Sequence, residues 1–395
     1  MMKGFLLHCL IVYYDIEHWI LRLVKPTLKS DALILRTDNI GDFILWLNSA
    51  KIIRERTKGE ITLLCSPAVA SLAKNIPYFD RIITIDEKKF LTNLVYHFKL
   101  LKTIRVYTYD LVLNPLYSRD YFVGDIVVRN VCAGVKIGFG CDYFNTKAKL
   151  RRFLSDNSKQ NGLLKSLLAK SNRFYDRLID ADKESKMELC RNAEFVSKLF
   201  GCKFGSALPE LCFNVPEFKY EDEYVVAFIG ASQSQRKWGG KKFMEVIEKF
   251  DCSVVLCGGK EDYEFANDIA TSVTAKSKVL NLAGRTTLLE LCSVIRSAKL
   301  VISNDTVAAH IAAMVRTKCV VICPGNFRTR FHPYQVEEDL ENAKQYFPIA
   351  IRYEMDCFDC AGLCIHNVDK LKPYPCIENI SVDMVMEQIN KILKA

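Results

Sequence analysis

Residues 303–310 read SNDTVAAH, a polar cluster with an Asp and a Thr, and a His four residues after the Thr, set between the apolar runs KLVIS and IAAM. In an α/β chain such a cluster marks the end of a strand and the start of a helix, where ligands bind. Amide N–H groups at a helix start, helped by the positive end of its dipole, take phosphate oxygens. Three more apparent strand ends in the same half run into similar residues: GASQSQRKW, GGKED and AGRTT. Arg236 and Lys237 add full positive charges, so the four turns together suit a diphosphate. Taken singly, each is equally an ordinary turn, Asp305 an N-cap, and Arg236 and Lys237 solvated surface cations. Turns at one edge of one expected sheet are the reason to read them together.

A carboxylate stands at the corresponding place in the first half. RTDNIGDFIL (36–45) closes an early strand with Gly41 and Asp42 at the head of a helix. Asp42 can cap that helix, or it can take a proton from a nucleophilic hydroxyl. Neither GxGxxG after a first strand nor GxxxxGK[ST] occurs, which weakens dinucleotide and P-loop readings.

The elements that must position these residues follow from pattern. ALILR (32–36), ITLLC (61–65), RIITI (81–85) and DLVLN (110–114) read as strands alternating with helical stretches, then a charged helical stretch over about 172–200. Residues 201–223, rich in turn and charged residues, suit an interdomain linker. A second alternation begins at Tyr224, with strands YVVAFIG, SVVLCGG, KVLNLAG, KLVIS and KCVVICPG. Alternation of this kind predicts two doubly wound parallel sheets with a ligand cleft at their carboxyl ends. The length of 395 residues suits two domains. We expect an N-terminal docking helix in 1–30, domains over 31–215 and 216–350, and a Cys-rich tail with a closing helix over 351–395.

Half the residues are hydrophobic, and the net charge of +9 is spread over local clusters such as KLRR, QRKWGGKK and FRTR. Charge alone does not choose among phosphorylated ligands, nucleic acid and anionic lipid. Most of the sixteen cysteines sit singly in apolar runs, as small buried hydrophobes in a reducing compartment do. The apolar stretch Phe5–Tyr14 is too short to span a bilayer, and Asp15, Glu17 and His18 interrupt it. It reads as an amphipathic or docking helix, with a membrane surface as the sharper option.

These stretches resemble glycosyltransferase family 9, the heptosyltransferases of the lipopolysaccharide inner core. RTDNIGD is similar to the family's first turn, and GASQSQRKW, LCGGKED, NLAGRTTLLEL and SNDTVAAHIAA follow in the family's order over most of 31–335. The resemblance implies a GT-B fold, two Rossmann-like domains facing each other across a cleft, with the acceptor on the N-terminal lobe and a nucleotide-sugar on the C-terminal lobe. It implies inverting, metal-independent transfer of a sugar, heptose from ADP-heptose, to a lipopolysaccharide core or lipid A acceptor. Asp42 then matches the general base. Arg236, where the family has Lys, with Lys237, Asp305, Thr306, Val307 and His310, matches the donor-diphosphate stretch. Gly258, Glu261 and Asp262 match the nucleotide stretch, where a carboxylate suits two ribose hydroxyls. Two positions depart from the pattern: Val307 replaces a Gly, and Gly239 a Pro. Expected partners are the donor, the lipid-linked acceptor and the cytoplasmic face of the inner membrane, without nucleic acid. Competing readings are a related transferase using another nucleotide-sugar, an epimerase of the same architecture, or a bilobed protein that only binds the ligand.

The tail CFDCAGLCIHNVDKLKPYPC places Cys357, Cys360, Cys364 and Cys376 around His366. Four thiols at these spacings suit a structural zinc or an iron–sulfur cluster. They suit equally a Cys-rich loop or local disulfides. No catalytic cofactor is expected.

Overall fold

The last five residues of β1 (Leu28–Arg36) are all buried, as they are in a strand covered on both faces. In the computed structural model, which describes residues 2–140, 143–154, 157–273, 278–362, 364–366, 368–369 and 371–394, β1 lies at the centre of a six-stranded sheet. Its companions are β2 (Ile61–Cys65), β3 (Arg81–Thr84), β4 (Tyr107–Asn114), β5 (Cys132–Phe139) and β6 (Arg177–Ile179), in the order β3-β2-β1-β4-β5-β6. All pairings are parallel. The second sheet holds β7 (Tyr224–Phe228), β8 (Ser253–Cys257), β9 (Val279–Asn281), β10 (Leu300–Asn304), β11 (Cys319–Ile322) and β12 (Ile349–Ile351), ordered β12-β11-β10-β7-β8-β9 and again all parallel. Both orders reverse direction beside their first strand, the switch point of doubly wound sheets.

The contacts divide the chain into two compact units. One is Met1–Asn39, Ser49–Glu184 and Arg191–Phe204; the other is Ile40–Asn48, Ser185–Cys190 and Gly205–Ala395. Helix α2 (Ile40–Arg56) thus contributes its first residues, with Gly41 and Asp42, to the second unit.

The helix expected over 172–200 is interrupted. One helix ends at Asn172, β6 pairs with β5, and a new helix runs Glu188–Phe200. A three-residue strand gains its backbone partners only from the neighbouring strand, so tertiary pairing overrides the local preference. β12 extends the second sheet by the same means beyond the five strands expected.

Helix α1 (Met2–Leu21) continues through the charged residues that break its apolar run. Each of them finds a partner in the first unit. Asp15 pairs with Arg129 at 2.7 Å and Lys170 at 2.6 Å, Glu17 with His97 at 2.9 Å, and His18 bonds Asn130 at 2.8 Å. Leu7, Tyr14 and Leu21, one heptad apart, are buried in the first unit's core. Among the described residues no helix is long and apolar enough to cross a membrane.

Candidate functional site

The loop leaving β7 carries a single 3-10 turn, Ser234–Arg236, and is pinned at both ends. Trp238, fully buried, takes the Asn304 side-chain carbonyl on its backbone N–H (3.1 Å) and donates its ring N–H to the Ile380 carbonyl (2.9 Å). Asn304 in turn donates to the carbonyls of Ile229 (2.8 Å) and Gly230 (3.2 Å). The ends of β7 and β10 are thereby tied together, and Arg236 and Asp305 meet. Arg236 donates to the Asp305 carboxylate at 2.6 Å and to its backbone carbonyl at 3.0 Å.

Asp305 is buried, and His332 stands 3.6 Å from its second oxygen. Burial works to raise the Asp305 carboxyl, but Arg236, His332 and His310 outweigh it and hold the group well below the usual carboxylate range. Asp305, Cys323 and His332 bring one potential metal-ligand atom each within 4.8 Å of one another. Arg236 already engages that carboxylate, and burial holds the Cys323 thiol protonated, so the donor set does not suit a cation.

Helix 307–314 starts immediately after this pair. Thr306 is its N-cap in extended conformation, and its hydroxyl pairs with Ser303 at 3.1 Å rather than capping. Val307 is the first helical residue and only partly buried. Its side chain therefore stands at the helix entrance where a Gly would leave backbone alone.

His310 lies one turn further on, buried, with Nδ1 2.6 Å from the Tyr334 hydroxyl and its ring stacked on His332 at 5.7 Å. Burial pushes the Tyr334 phenol far up, so it keeps its proton. Assigning that proton to the bond with Nδ1 leaves the ring hydrogen of His310 on Nε2. The imidazole abuts Gly41. A Cβ there would sit 2.8 Å from His310 Cδ2 and 3.3 Å from Nε2, a spacing no side chain tolerates, so glycine is what lets the head of α2 close on this ring. Asp42 follows as the third helical residue, buried in the first turn. Asn39, not Asp42, is the N-cap residue. The head of α2, which carries Asp42, thus adjoins the helix that carries His310.

Burial, with His332 and Arg236 as lesser causes, lowers the His310 imidazole to about 3, against an opposing pull from Asp305. The ring is neutral in the fold at neutral pH. Unfolded, it titrates near 6.5, so the unfolded chain binds the extra proton first and stability falls as pH drops below 6.5 toward 3. Going from pH 7 to pH 5 costs about 2 kcal/mol from this group. We expect a melting temperature that falls over that interval and a flatter fall in His310→Gln, measured by calorimetry; identical slopes would remove His310 as the cause.

The nucleotide stretch divides its two carboxylates. Asp262 is buried, accepts the Gly259 N–H at 2.8 Å and pairs with Lys237. Gly230 and Gly258 pack against its side chain. Glu261 is exposed and folds over Gly259. Lys237 therefore ties the β7 loop to the β8 loop, and Glu261 is the carboxylate open to hydroxyl groups. Sequence reasoning missed Asn304, His332 and Tyr334; the juxtaposed aromatic and His residues of FRTRFHPY were the available signal. In the tail, Cys357, Cys360, Cys364 and Cys376 are free and half-buried.

Two doubly wound sheets of this topology define the GT-B class. A glycosyltransferase family 9 structure from Veillonella parvula aligns with TM-score 0.64 at 15% identity, covering 94% of this chain and 99% of its own. E. coli heptosyltransferase WaaC with ADP-2-deoxy-2-fluoro heptose aligns with TM-score 0.62 at 16% identity, covering 92% and 99%. The model of glycosyltransferase family 9 (heptosyltransferase) matches residues 97–342, more than half of the chain, and the chain belongs to that family. It is 28% identical to lipooligosaccharide heptosyltransferase 2 of Campylobacter jejuni over 165 residues, 41% of this chain and 48% of the relative. It is 24% identical to lipopolysaccharide heptosyltransferase 3 of E. coli K12 over 324 residues, 74% of this chain and 88% of the relative. The chain spans about half the length of the Campylobacter relatives it matches.

Proposed function

We propose that the chain is an inverting glycosyltransferase that moves heptose from ADP-heptose to a sugar hydroxyl of a lipopolysaccharide core acceptor, without a catalytic metal. The observation that supports the reading is the seating of Gly41 against His310, which brings the head of α2, where Asp42 is the third residue, against the helix that follows the Arg236–Asp305 pair. Named relatives are lipopolysaccharide and lipooligosaccharide heptosyltransferases.

In this reading Asp42 takes the proton of the acceptor hydroxyl as its oxygen attacks the anomeric carbon. The bond from that carbon to the diphosphate breaks, and ADP leaves with the electron pair. One in-line displacement inverts the anomeric centre. Charge building on the diphosphate meets Arg236 and the amides that open helix 307–314, groups already in place before reaction. His310, neutral with its hydrogen on Nε2, donates rather than adds charge. Glu261 accepts from ribose hydroxyls.

The acceptor is lipid-linked, and α1 supplies a surface for its membrane. Phe5, Cys9, Val12, Ile16 and Trp19 are exposed and follow one another at steps of four and three, one stripe of the helix, and Leu23 is exposed just past its end. Phe5 is 68% exposed, Trp19 67% and Leu23 72%. Exposed Leu94 and Val95 adjoin it, Tyr13 reaching the Leu94 carbonyl at 3.5 Å. The acidic residues of α1 are engaged inside the unit, whereas Arg22, Lys25 and Lys29 are exposed at its end. An apolar stripe with a basic flank suits the anionic cytoplasmic leaflet. Ile16→Ser with Trp19→Ser should reduce sedimentation with phosphatidylglycerol-containing vesicles roughly ten-fold or more. Unchanged sedimentation would move the contact elsewhere.

The function itself is tested by presenting ADP-heptose and other nucleotide-sugars, with and without truncated lipopolysaccharide, in EDTA. The expected result is ADP release that needs the acceptor. Donor consumption without acceptor would indicate an epimerase, and tight donor binding without turnover a binding protein.

A further inference from the structure

Among the described residues the His310 side chain makes one hydrogen bond, through Nδ1 to the Tyr334 hydroxyl at 2.6 Å, and that hydroxyl makes no other. Nε2 sits beside Gly41 without a protein partner, in a residue only 4% exposed. Polar atoms this deeply buried are nearly always hydrogen-bonded, so Nε2 is poised for a ligand atom. The bond to Tyr334 can run either way, and burial decides which. If His310 donated from Nδ1, the phenolic hydrogen would be buried with no acceptor, and a bare Nε2 lone pair would meet the ligand. If Tyr334 donates, its hydrogen is satisfied and the single hydrogen of the neutral ring goes to Nε2. Only the second arrangement leaves no buried donor stranded.

The segment that carries Tyr334 is fixed from several sides. The His332 carbonyl accepts from Arg352 at 2.7 Å, the Gln335 carbonyl from the Cys190 thiol at 3.4 Å, and the Glu337 N–H bonds the Ser206 carbonyl at 2.7 Å. The Tyr334 ring packs in one core with Leu45 of α2 and Ala313 of helix 307–314, the two helices that meet at His310. The rings of His310, His332 and Tyr334 stack pairwise at 5.7, 5.5 and 6.0 Å with interplanar angles of 7°, 23° and 20°. Such stacking resists a turn of the imidazole that would exchange Nδ1 for Cδ2.

We propose that Tyr334 is a positioning residue: by donating to Nδ1 it fixes the Nε2–H tautomer of His310, which then offers an uncharged hydrogen-bond donor to a phosphate oxygen of the nucleotide ligand. Tyr334 acts through the imidazole and does not reach the ligand itself. The neutral ring suits its place. A second cation there would repel Arg236, which is already paired with Asp305 at 2.6 Å, whereas an N–H donor supports an anionic oxygen without that conflict. The ligand half of the proposal rests on the donor-site reading above; the tautomer half does not.

The test is nitrogen NMR of the imidazoles in the full-length protein, whose six histidines allow His310 to be assigned by its loss in His310→Gln. Ligand-free wild type should show hydrogen on Nε2 and a bare Nδ1, and Tyr334→Phe should shift the ring toward an Nδ1–H population. The wild-type spectra should also contain a Tyr334 hydroxyl proton correlated with Nδ1 across the bond, so the direction of donation is read even where the variant fails to fold. Hydrogen on Nδ1 in wild type, or a folded Tyr334→Phe with the wild-type tautomer, would overturn the positioning role. Adding ADP should move the wild-type Nε2 resonance. ADP that binds by calorimetry without moving it would overturn the ligand half alone; ADP that does not bind at all would remove the donor-site reading and the ligand half with it, leaving the tautomer to the ligand-free spectra. In turnover, Tyr334→Phe should lower kcat/KM about ten-fold, but less than about two-fold in a His310→Gln background, where the amide supplies its own N–H. Equal losses in both backgrounds would make Tyr334 a packing residue only.

Discussion

Asp42→Asn is expected to lower kcat about 10³-fold while leaving ADP affinity within about two-fold, because general-base assistance contributes about 10²–10⁴ and the amide keeps the carboxylate's shape. The split follows from position. Asp42 lies in the first turn of α2, one residue beyond the Gly41 that receives the His310 ring, and as a carboxylate it adds no positive charge to the diphosphate. Steady-state kinetics with acceptor and calorimetric titration with ADP check the two halves separately. If the variant turns over at the wild-type rate, Asp42 serves only the helix, and the base lies elsewhere.

Arg236→Met acts on the other side of the reaction and carries a structural cost. In the proposed reaction it removes the cation assigned to the leaving diphosphate, with an expected loss of about 10²–10³ in kcat/KM by analogy with a single deleted transition-state donor. It also leaves the Asp305 carboxylate buried without its ion pair, a change that destabilises by about 3 kcal/mol where a buried pair is broken. Asp305 is then easier to protonate, so the variant should lose less stability on acidification than wild type, read by melting temperature against pH. Arg236→Lys restores the charge on a shorter side chain without the planar guanidinium, and should recover part of both losses. A variant that melts lower yet keeps full kcat/KM would confine Arg236 to holding Asp305.

The parts of this site that the sequence exposed were those written in local chemistry. SNDT, GGKED and RTDNIGD announce themselves because polar and small residues interrupt apolar strands at equivalent places. Their partners did not announce themselves. His332 and Tyr334 lie in a loop without periodicity, and they matter because folding stacks them on His310. Glu261 and Asp262 looked interchangeable in sequence; the fold turns one outward and buries the other beneath Lys237. The short edge strands β6 and β12, of three residues each, carry too little alternation to be read and exist through pairing with β5 and β11. In α1, the charges that seemed to end an apolar run are the ones that fasten the helix to its domain.

The proposed reaction is one direct displacement on ADP-heptose, with Asp42 as base and Arg236 at the leaving diphosphate. The most direct test is the anomeric configuration of the sugar transferred to a truncated core acceptor, determined by NMR on product made in EDTA. A product inverted relative to the donor, formed in step with released ADP, is expected. A product of retained configuration, or one formed only when a divalent cation is supplied, would contradict it.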